Sequence, residues 1–597
     1  TPDRQLAGRV SALLERWGIE ADDSAGQPLS QTAAGTALLA IASAAAEELA
    51  PVALLALLKH PLVGGEGKER LAWLDGVRDL DLALRGPRPA AGLAGLEVQF
   101  AEKGARAWRL VRGRLAGVDA LLREPLSLSR FAEGLAAAAQ ALAGDRVWRG
   151  PAGRMAAELL GELQISRAAA ELMVGSDDAV PLLRQLLDER RVRPPYGGHP
   201  RIFIWGLLEA RLQRTDLVIL GGLNEGVWPA LPAPDPWLPP KVRANLAMPT
   251  LESRIGLAAH DFASALGARE VLITRARRDG RSPTVASRFL LRLDAISGGL
   301  PRHTQLERLT RELDYPGPAQ PVDRPAPAPP PEQRPERISV TAVDRLKADP
   351  FAYYAQQILK LRAEDPVDAD HTARWKGEAV HQVLQDWLEN DECDPEKLRP
   401  RAERLLEDEA IHPMLRALWA PRLLEAIDWI AERERINQAE GRRPVVAEAD
   451  GEAAVAGVTV YGRADRIDRL PDGALAIVDY KTGQPPSQKA VSEGFALQLG
   501  LLGLIGRAGG FEGVSGEPEA FEYWSLARYR GKFGRLMCPD KDMQRGEFLD
   551  KAGRVFTAVA ADYLTGTKPF TAKLNPAYAP YGDYDQLMRL EEWYGRK

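Results

Sequence analysis

At 597 residues, the chain is long enough for several domains of roughly 100 to 200 residues each, and its 45% apolar and 27% charged residues are ordinary for a globular protein. The longest apolar stretch, Thr36 to Ala46, ends at Glu47 and Glu48 and is too short for a bilayer, so no membrane span is expected. A net charge of −5 argues against a uniformly basic nucleic-acid binder, though not against a basic channel, and two cysteines, Cys393 and Cys538, cannot build a disulfide framework or a four-thiolate metal site.

The start, TPDRQLAGRV, has no initiator Met and neither the basic nor the apolar region of a signal peptide, so a cytoplasmic piece is expected. Residues 1–190 read as Ala/Leu-rich amphipathic helices, such as LAGRVSALLERW and VALLALLKHPL, the latter closed by Pro61. Over 191–315 the texture changes. The short apolar runs in DLVILGGLNEG and EVLITRAR alternate with helical patterns such as RIGLAAHDFASALG, which predicts an α/β region with a largely parallel sheet. Residues 316–337 carry the proline-rich PGPAQPVDRPAPAPPPEQRP, which cannot support a helix and predicts an extended linker of up to about 60 Å. Residues 338–597 then read as helix, β-hairpin, helix and strand, a second and smaller α/β domain.

The hairpin YGRADRIDRLPDGALAIVDYKTG concentrates charge on two β-prone segments. Pro471 presets φ, Asp472 can cap its own backbone and Gly473 accepts a positive φ. A three-residue loop from Pro471 to Gly473 sets Asp465 opposite Asp479, Ile467 opposite Ile477 and Asp468 opposite Ala476. Directly opposed side chains lie about 5 Å apart, and Lys481 projects from the face of Asp479. Two such carboxylates repel unless a cation sits between them. Carboxylate oxygens suit Mg²⁺ or Mn²⁺, and a neighbouring lysine could orient or deprotonate an attacking water, which fits metal-dependent phosphodiester hydrolysis. The bland alternative is a pair of solvated strand-end carboxylates neutralised by Arg463, Arg466 or Lys481. Asp468 is expected on the opposite face, pairing at most with an arginine in water for well under about 1 kcal/mol.

GRADRID followed by VDYKTG resembles the PD-(D/E)xK nuclease superfamily and, more narrowly, its RecB-like branch. The resemblance implies a restriction-endonuclease-like α/β fold in which Asp465, Asp479 and Lys481 are catalytic and the Tyr480 carbonyl joins the metal ligands. It also implies that His381, in KGEAVHQVL, is a metal ligand on a helix; by periodicity alone it sits at the edge of a core face of Val380, Val383, Leu384, Trp387 and Leu388. The branch's Gln-x-x-x-Tyr helix near DNA is matched by Gln498, with Leu502 in place of the tyrosine.

Beyond that domain, GLLEARLQRTDLVILGGLNEGVWP and LAAHDFASALGAREVLITRAR look like the second helicase-like domain of AddB subunits of bacterial AddAB helicase–nucleases, the alphaproteobacterial form especially. ITRAR resembles a superfamily 1 strand whose arginine reaches a nucleotide phosphate, which would single out Arg275 or Arg277; the alternative is a solvated strand end. The family's first helicase-like domain has no counterpart here, and VGGEGKER lacks the G-x-x-x-x-G-K-[ST] spacing, so a motor is not expected. Many AddB nuclease domains carry a four-cysteine iron–sulfur cluster. This chain has Asp349 before Pro350 and no cysteine in its tail, so no cluster is expected, and Tyr578, Tyr581 and Tyr584 are expected to close the domain by packing. Arg528, Arg530, Lys532 and Arg535, around Tyr529 and Phe533, form a candidate DNA contact, as does the run Arg275 to Arg288; a solvated basic face is the alternative. The resemblance implies a DNA nuclease that processes double-strand breaks for recombination, cutting the 5′-ended strand beside an AddA-like ATPase partner. A catalytically silent DNA-binding scaffold is the rival.

Overall fold

The computed structural model describes all residues except 194–198, 232–236, 281, 316, 319, 370–372, 408–412, 542, 545, 581 and 596–597. The chain forms two compact units, one of Thr1–Leu84 with Arg88–Pro316 and one of Arg85–Pro87 with Gly317–Lys597. Among the described residues no helix is long and apolar enough to cross a membrane.

The first unit opens with helices, among them Arg4–Arg16, Ala33–Ala46 and Pro51–Lys59. Thr32 caps the second by accepting the Gly35 N–H on its side-chain oxygen, which satisfies one of the donors a helix start leaves open. Further on, Leu217–Leu220 and Glu270–Ile273 pair in parallel with helix Leu251–Ala265 between them. This is the parallel pairing that the alternation predicts, at two strands among the described residues. Leu220, Leu223, Trp228 and Phe262 form its small core.

In the second unit a six-stranded mixed sheet lies between two helical layers. Its elements are β1 (Arg337–Ser339), α1 (Val340–Ala348), α2 (Ala373–Asp391), α3 (Pro395–Leu406), α4 (Pro413–Ala439), β2 (Arg443–Val455), β3 (Val458–Arg469), β4 (Leu475–Lys481), α5 (Gln498–Arg507), β5 (Pro518–Tyr529), β6 (Lys532–Met537) and α6 (Glu547–Val559). Strand order is β2–β3–β4–β5–β6, with β1 beside the other end of β3. The β4–β5 and β1–β3 pairs are parallel and the rest antiparallel. On one face, Trp387, Ile427 and Ile430 pack against Val478 and Trp524; on the other, Val343, Leu499, Leu502 and Phe548 pack against Ile467 and Ile477. Strand β4 is buried from Leu475 through Tyr480, as a central strand covered on both faces must be.

The β3–β4 register runs from Arg469↔Leu475 through Asp468↔Ala476 and Ile467↔Ile477 to Arg466↔Val478, the pairing expected of a three-residue loop. Leu470 donates to the Ala474 carbonyl, Asp472 Oδ1 accepts the Ala474 N–H, and Gly473 has φ +88. Strand β2 has no counterpart among the elements expected from sequence. Its RPVVAEADGEAAV is rich in Ala and acidic residues, weak β formers, and tertiary pairing with β3 supplies what propensity lacks. Ala456 and Gly457, both with positive φ, close that hairpin.

Two further expectations are corrected. The proline-rich segment is not simply a tether: the carbonyls of Pro325 and Pro327 accept the N–H groups of Ala572 and Phe570 at 2.8 Å, and Arg334 donates to the Tyr563 carbonyl. Proline cannot donate but its carbonyl can accept, so this strap bonds along its length. Tyrosines make only part of the domain's closure. Tyr578 stacks on Phe495 and the Tyr584 hydroxyl donates to the Leu361 carbonyl, while Tyr581 lies outside the described residues. The larger feature is Lys573, whose side chain is 5% exposed and whose Nζ sits 2.8 Å from Asp585 Oδ1, 3.7 Å from Asp349 Oδ2 and 2.8 Å from the Pro580 carbonyl.

Candidate active site

Beyond Arg466↔Val478 the paired register of β3 and β4 ends. On that side β3 goes on to pair with β1, and β4 stays with β5 through Lys481↔Ser525. In the gap, the Tyr480 N–H donates to a side chain instead of a backbone carbonyl, reaching Asp465 Oδ2 at 2.7 Å. The next residues on the facing strands are Asp465 and Asp479. Two helices close the gap. From α2, His381 places Nδ1 3.0 Å from Glu448 Oε1 and 3.7 Å from Asp465 Oδ1, and Nε2 3.2 Å from the Tyr480 carbonyl. From α5, Gln498 donates to Asp479 Oδ1 at 2.5 Å and accepts from Lys481 Nζ at 3.0 Å. Lys481 Nζ is also 2.7 Å from Asp479 Oδ2.

The electrostatics follow from this crowding. Burial, then the neighbouring Asp479 charge, pushes the Asp465 carboxyl up to about 7. Burial also raises Asp479, against the pull of Lys481. For His381, burial favours the neutral ring, but the hydrogen bond to Glu448 and the charges of Asp465, Glu448 and Asp479 outweigh it and push it up to about 9. As an imidazolium, the ring donates from both nitrogens, one to the Glu448 carboxylate and one to the Tyr480 carbonyl. It thus places one positive charge among three acidic groups.

The donor set suits a divalent cation. One ligand atom from each of His381, Glu448 and Asp465 lies within 4.8 Å of the others, with Asp479 and the Tyr480 carbonyl alongside. Carboxylates, a carbonyl and one imidazole are the chemistry of Mg²⁺ or Mn²⁺. Glu448 is absent from the candidates drawn from sequence because its strand is. It stands next to Asp465 across β2–β3, between the pairs Ala447↔Arg466 and Ala449↔Ala464, and has φ +47, the kind of backbone departure that clusters at functional sites. An acidic residue in the segment before GRADRID is the available signal.

So the structure brings Asp465, Asp479, Lys481, His381, the Tyr480 carbonyl and Gln498 together. Gln498, expected near DNA, touches both Asp479 and Lys481, while Leu502 is buried in the core. Arg528, Arg530, Lys532 and Arg535 lie around the tip of the β5–β6 hairpin, where Arg530 and Arg535 stack on Tyr529. That hairpin is joined to the loop after Lys481: Gln484 donates to the Arg528 carbonyl and Ser525 Oγ to the Gly483 carbonyl. Arg275 and Arg277 belong to the first unit, exposed after its second parallel strand, and are not among the residues gathered here.

Asp468 requires correction. It does point away from Asp465, but not into water. It is fully buried, accepting from Arg442 Nε and Arg466 Nε at 2.6 Å each, with Glu434 on Arg466 and Glu522 on Arg442 at 2.7 Å. Arg466 also lies over the Trp524 ring. Packed helices cover this face of the sheet, so the pair expected in solvent is a buried network.

The site is thus a set of carboxylates and a lysine where two central strands of a mixed sheet part, between helical layers. Residues 337–575 match the family model of the PD-(D/E)XK nuclease superfamily, and this part of the chain is a domain of that superfamily. Among curated proteins, an uncharacterized protein of Rickettsia bellii is 24% identical over 52% of this chain and 39% of its own length. One of Rickettsia felis is 24% identical over 50% of this chain and 37% of its own length. An ATP-dependent helicase/deoxyribonuclease component from Streptococcus mutans is 29% identical over 26% of this chain and 15% of its own length. The chain thus spans less than two fifths of these relatives.

Proposed function

We propose that this chain is a divalent-metal-dependent deoxyribonuclease, and that it serves as the AddB-like nuclease component of a helicase–nuclease that processes double-strand DNA ends. The observation that carries the nuclease reading is the convergence of His381, Glu448, Asp465, Asp479 and Lys481 at the parting of β3 and β4. His381, Glu448, Asp465, Asp479 and the Tyr480 carbonyl would hold Mg²⁺ or Mn²⁺. When bound, such an ion supplies Lewis acidity toward a phosphodiester oxygen.

The chain's own groups do the rest. Lys481 is held by Asp479 and Gln498, which take two of its three N–H donors and leave the third to orient a water or a phosphate oxygen. Asp479, fixed by Gln498, keeps the lysine aimed. Glu448 fixes the ring of His381, and Asp465 is locked by the Tyr480 N–H, so the ligand atoms are preorganised before substrate arrives. The basic hairpin at Arg528–Arg535, tied to the loop after Lys481, is the candidate support for the DNA backbone.

The AddB-like role rests on the partial likeness to the Streptococcus mutans protein and on the sequence resemblance of DLVILGGLNEGVWP and EVLITRAR to a helicase-like domain. In that role an AddA-like partner supplies ATP turnover, since the sequence contains no phosphate-binding loop of the G-x-x-x-x-G-K-[ST] form, and this chain cuts the 5′-ended strand. Incubating the purified chain with end-labelled single-stranded DNA, with and without Mg²⁺, tests the nuclease reading. Metal-dependent cleavage is expected. Binding with no cleavage in Mg²⁺ or Mn²⁺ would favour a silent scaffold instead.

A further inference from the structure

Beside the metal-site residues runs a groove of about 400 Å³ lined by Gly377, Glu378, His381, Gln382, Gln385, Glu448 and Arg463. Arg463 is the guanidinium in this lining. It lies on β3 two residues before Asp465, hence on the same face and about 7 Å along the strand, a distance on the scale of the step between neighbouring phosphates of an extended nucleic-acid strand. Across the sheet it pairs with Asp450, whose two carboxylate oxygens receive Arg463 Nε and one terminal nitrogen at 3.0 Å each. Its other terminal nitrogen lies 3.7 Å from Glu448 Oε2.

We infer that Arg463 is a phosphate-binding residue that grips the backbone phosphate next to the scissile one, and that Asp450 occupies its fork until a nucleic-acid strand arrives. This rests on the nuclease reading above and adds a substrate contact to it. The Arg463 side chain is 56% exposed and that of Asp450 75%, so their pair is a weak, solvent-screened one. A planar fork that fits a carboxylate also fits two phosphate oxygens. Exchanging a solvated carboxylate for a phosphate held beside the metal ligands is therefore favourable. Among the described residues, Arg463 is the one arginine in a groove that also carries the carboxylates of Glu378 and Glu448, so it is the side chain there with a planar fork to offer a phosphate.

The test compares Arg463→Ala, Arg463→Lys and Asp450→Ala in the full chain. Cleavage of a labelled single-stranded oligonucleotide is measured in Mg²⁺, and equilibrium binding of the same oligonucleotide is measured in EDTA over a salt series. Loss of a charge-assisted contact should raise KM about tenfold for Arg463→Ala with kcat within about twofold, and should lower the salt slope of binding by about 0.7. Arg463→Lys should recover part of the affinity, keeping the charge but not the fork. Asp450→Ala should leave KM within about twofold. If Arg463 only staples β2 to β3, both alanine variants will behave alike and the salt slope will not move, which overturns the inference. Absence of cleavage by the unmodified chain would count against the nuclease reading instead, and the EDTA binding series would still decide the role of Arg463.

Discussion

Asp465 and Asp468 sit three residues apart on one strand and differ entirely in what their carboxylates do. Asp465 is crowded by like charge at a site built for a cation, and its Oδ2 also holds the Tyr480 N–H. Asp465→Asn keeps an acceptor for that donor and removes a charge, so the melting temperature of the metal-free protein should hold or rise. Asp468→Ala leaves the buried Arg442 Nε and Arg466 Nε without the acceptor they share, which costs about 3–5 kcal/mol, and thermal melts should show it plainly. Titration gives a second residue-scale outcome. The Asp465 carboxyl stands at about 7 in the fold against about 3.9 in an unfolded chain, so its stabilising proton is fully present below about pH 4 and lost as pH rises through 7. His381, at about 9 against about 6.5 unfolded, contributes fully below pH 6.5 and loses that as pH rises through 9. Both shifts act in one direction. The metal-free domain should therefore lose stability from pH 6 to 9, and Mn²⁺, which replaces these protons, should raise the melting temperature more at pH 9 than at pH 6.

At the scale of elements, the site depends on where α5 begins. Both oxygens of the half-buried Asp344 on α1 accept the Leu497 N–H at 3.0 and 3.1 Å, and Gln498 follows as the first residue of the helix. Asp344→Ala should lower cleavage about tenfold by loosening Gln498 against Asp479 and Lys481, with circular dichroism unchanged; Asp344→Asn, which keeps an acceptor, should restore most of it. How much of this is readable in sequence depends on distance along the chain. The β3–β4 register is legible because Pro471, Asp472 and Gly473 fix a local turn, and a local turn fixes every opposed pair. Glu448 is not, because its alanine-rich strand carries no β signal and forms by pairing with β3. The burial of Asp468 is not either, since Arg442 ahead of β2 binds it directly while Glu434 on α4 and Glu522 on β5 complete its network through the arginines, and only the fold assembles these. Gln498 stands out in sequence, but its contact with Asp479 depends on the packing of α5.

Across the second unit, the two ends of the domain are joined by charge. Lys573 on the C-terminal segment meets Asp349 before the helix Pro350–Tyr353, and the proline-rich strap bonds to the segment just before Lys573. Lys573→Met would leave the buried Asp349 and the half-buried Asp585 without their cation, at a cost of about 3 kcal/mol or more; urea melts should show a lower midpoint, and limited proteolysis should cut the C-terminal segment first. Two cysteines cannot supply a four-cysteine cluster, so the purified chain is expected to be colourless by visible absorbance. The central proposal is that the parting of β3 and β4 is a metal-dependent phosphodiesterase centre. Its most direct test is the rate of single-stranded DNA cleavage by the unmodified chain and by Asp465→Asn across a Mg²⁺ titration, with melting temperatures recorded on the same samples. Metal-dependent cleavage is expected of the unmodified chain, with a loss of about 100-fold or more in the variant at undiminished stability. A folded Asp465→Asn that cleaves as fast as the unmodified chain, with the same Mg²⁺ dependence, would contradict it.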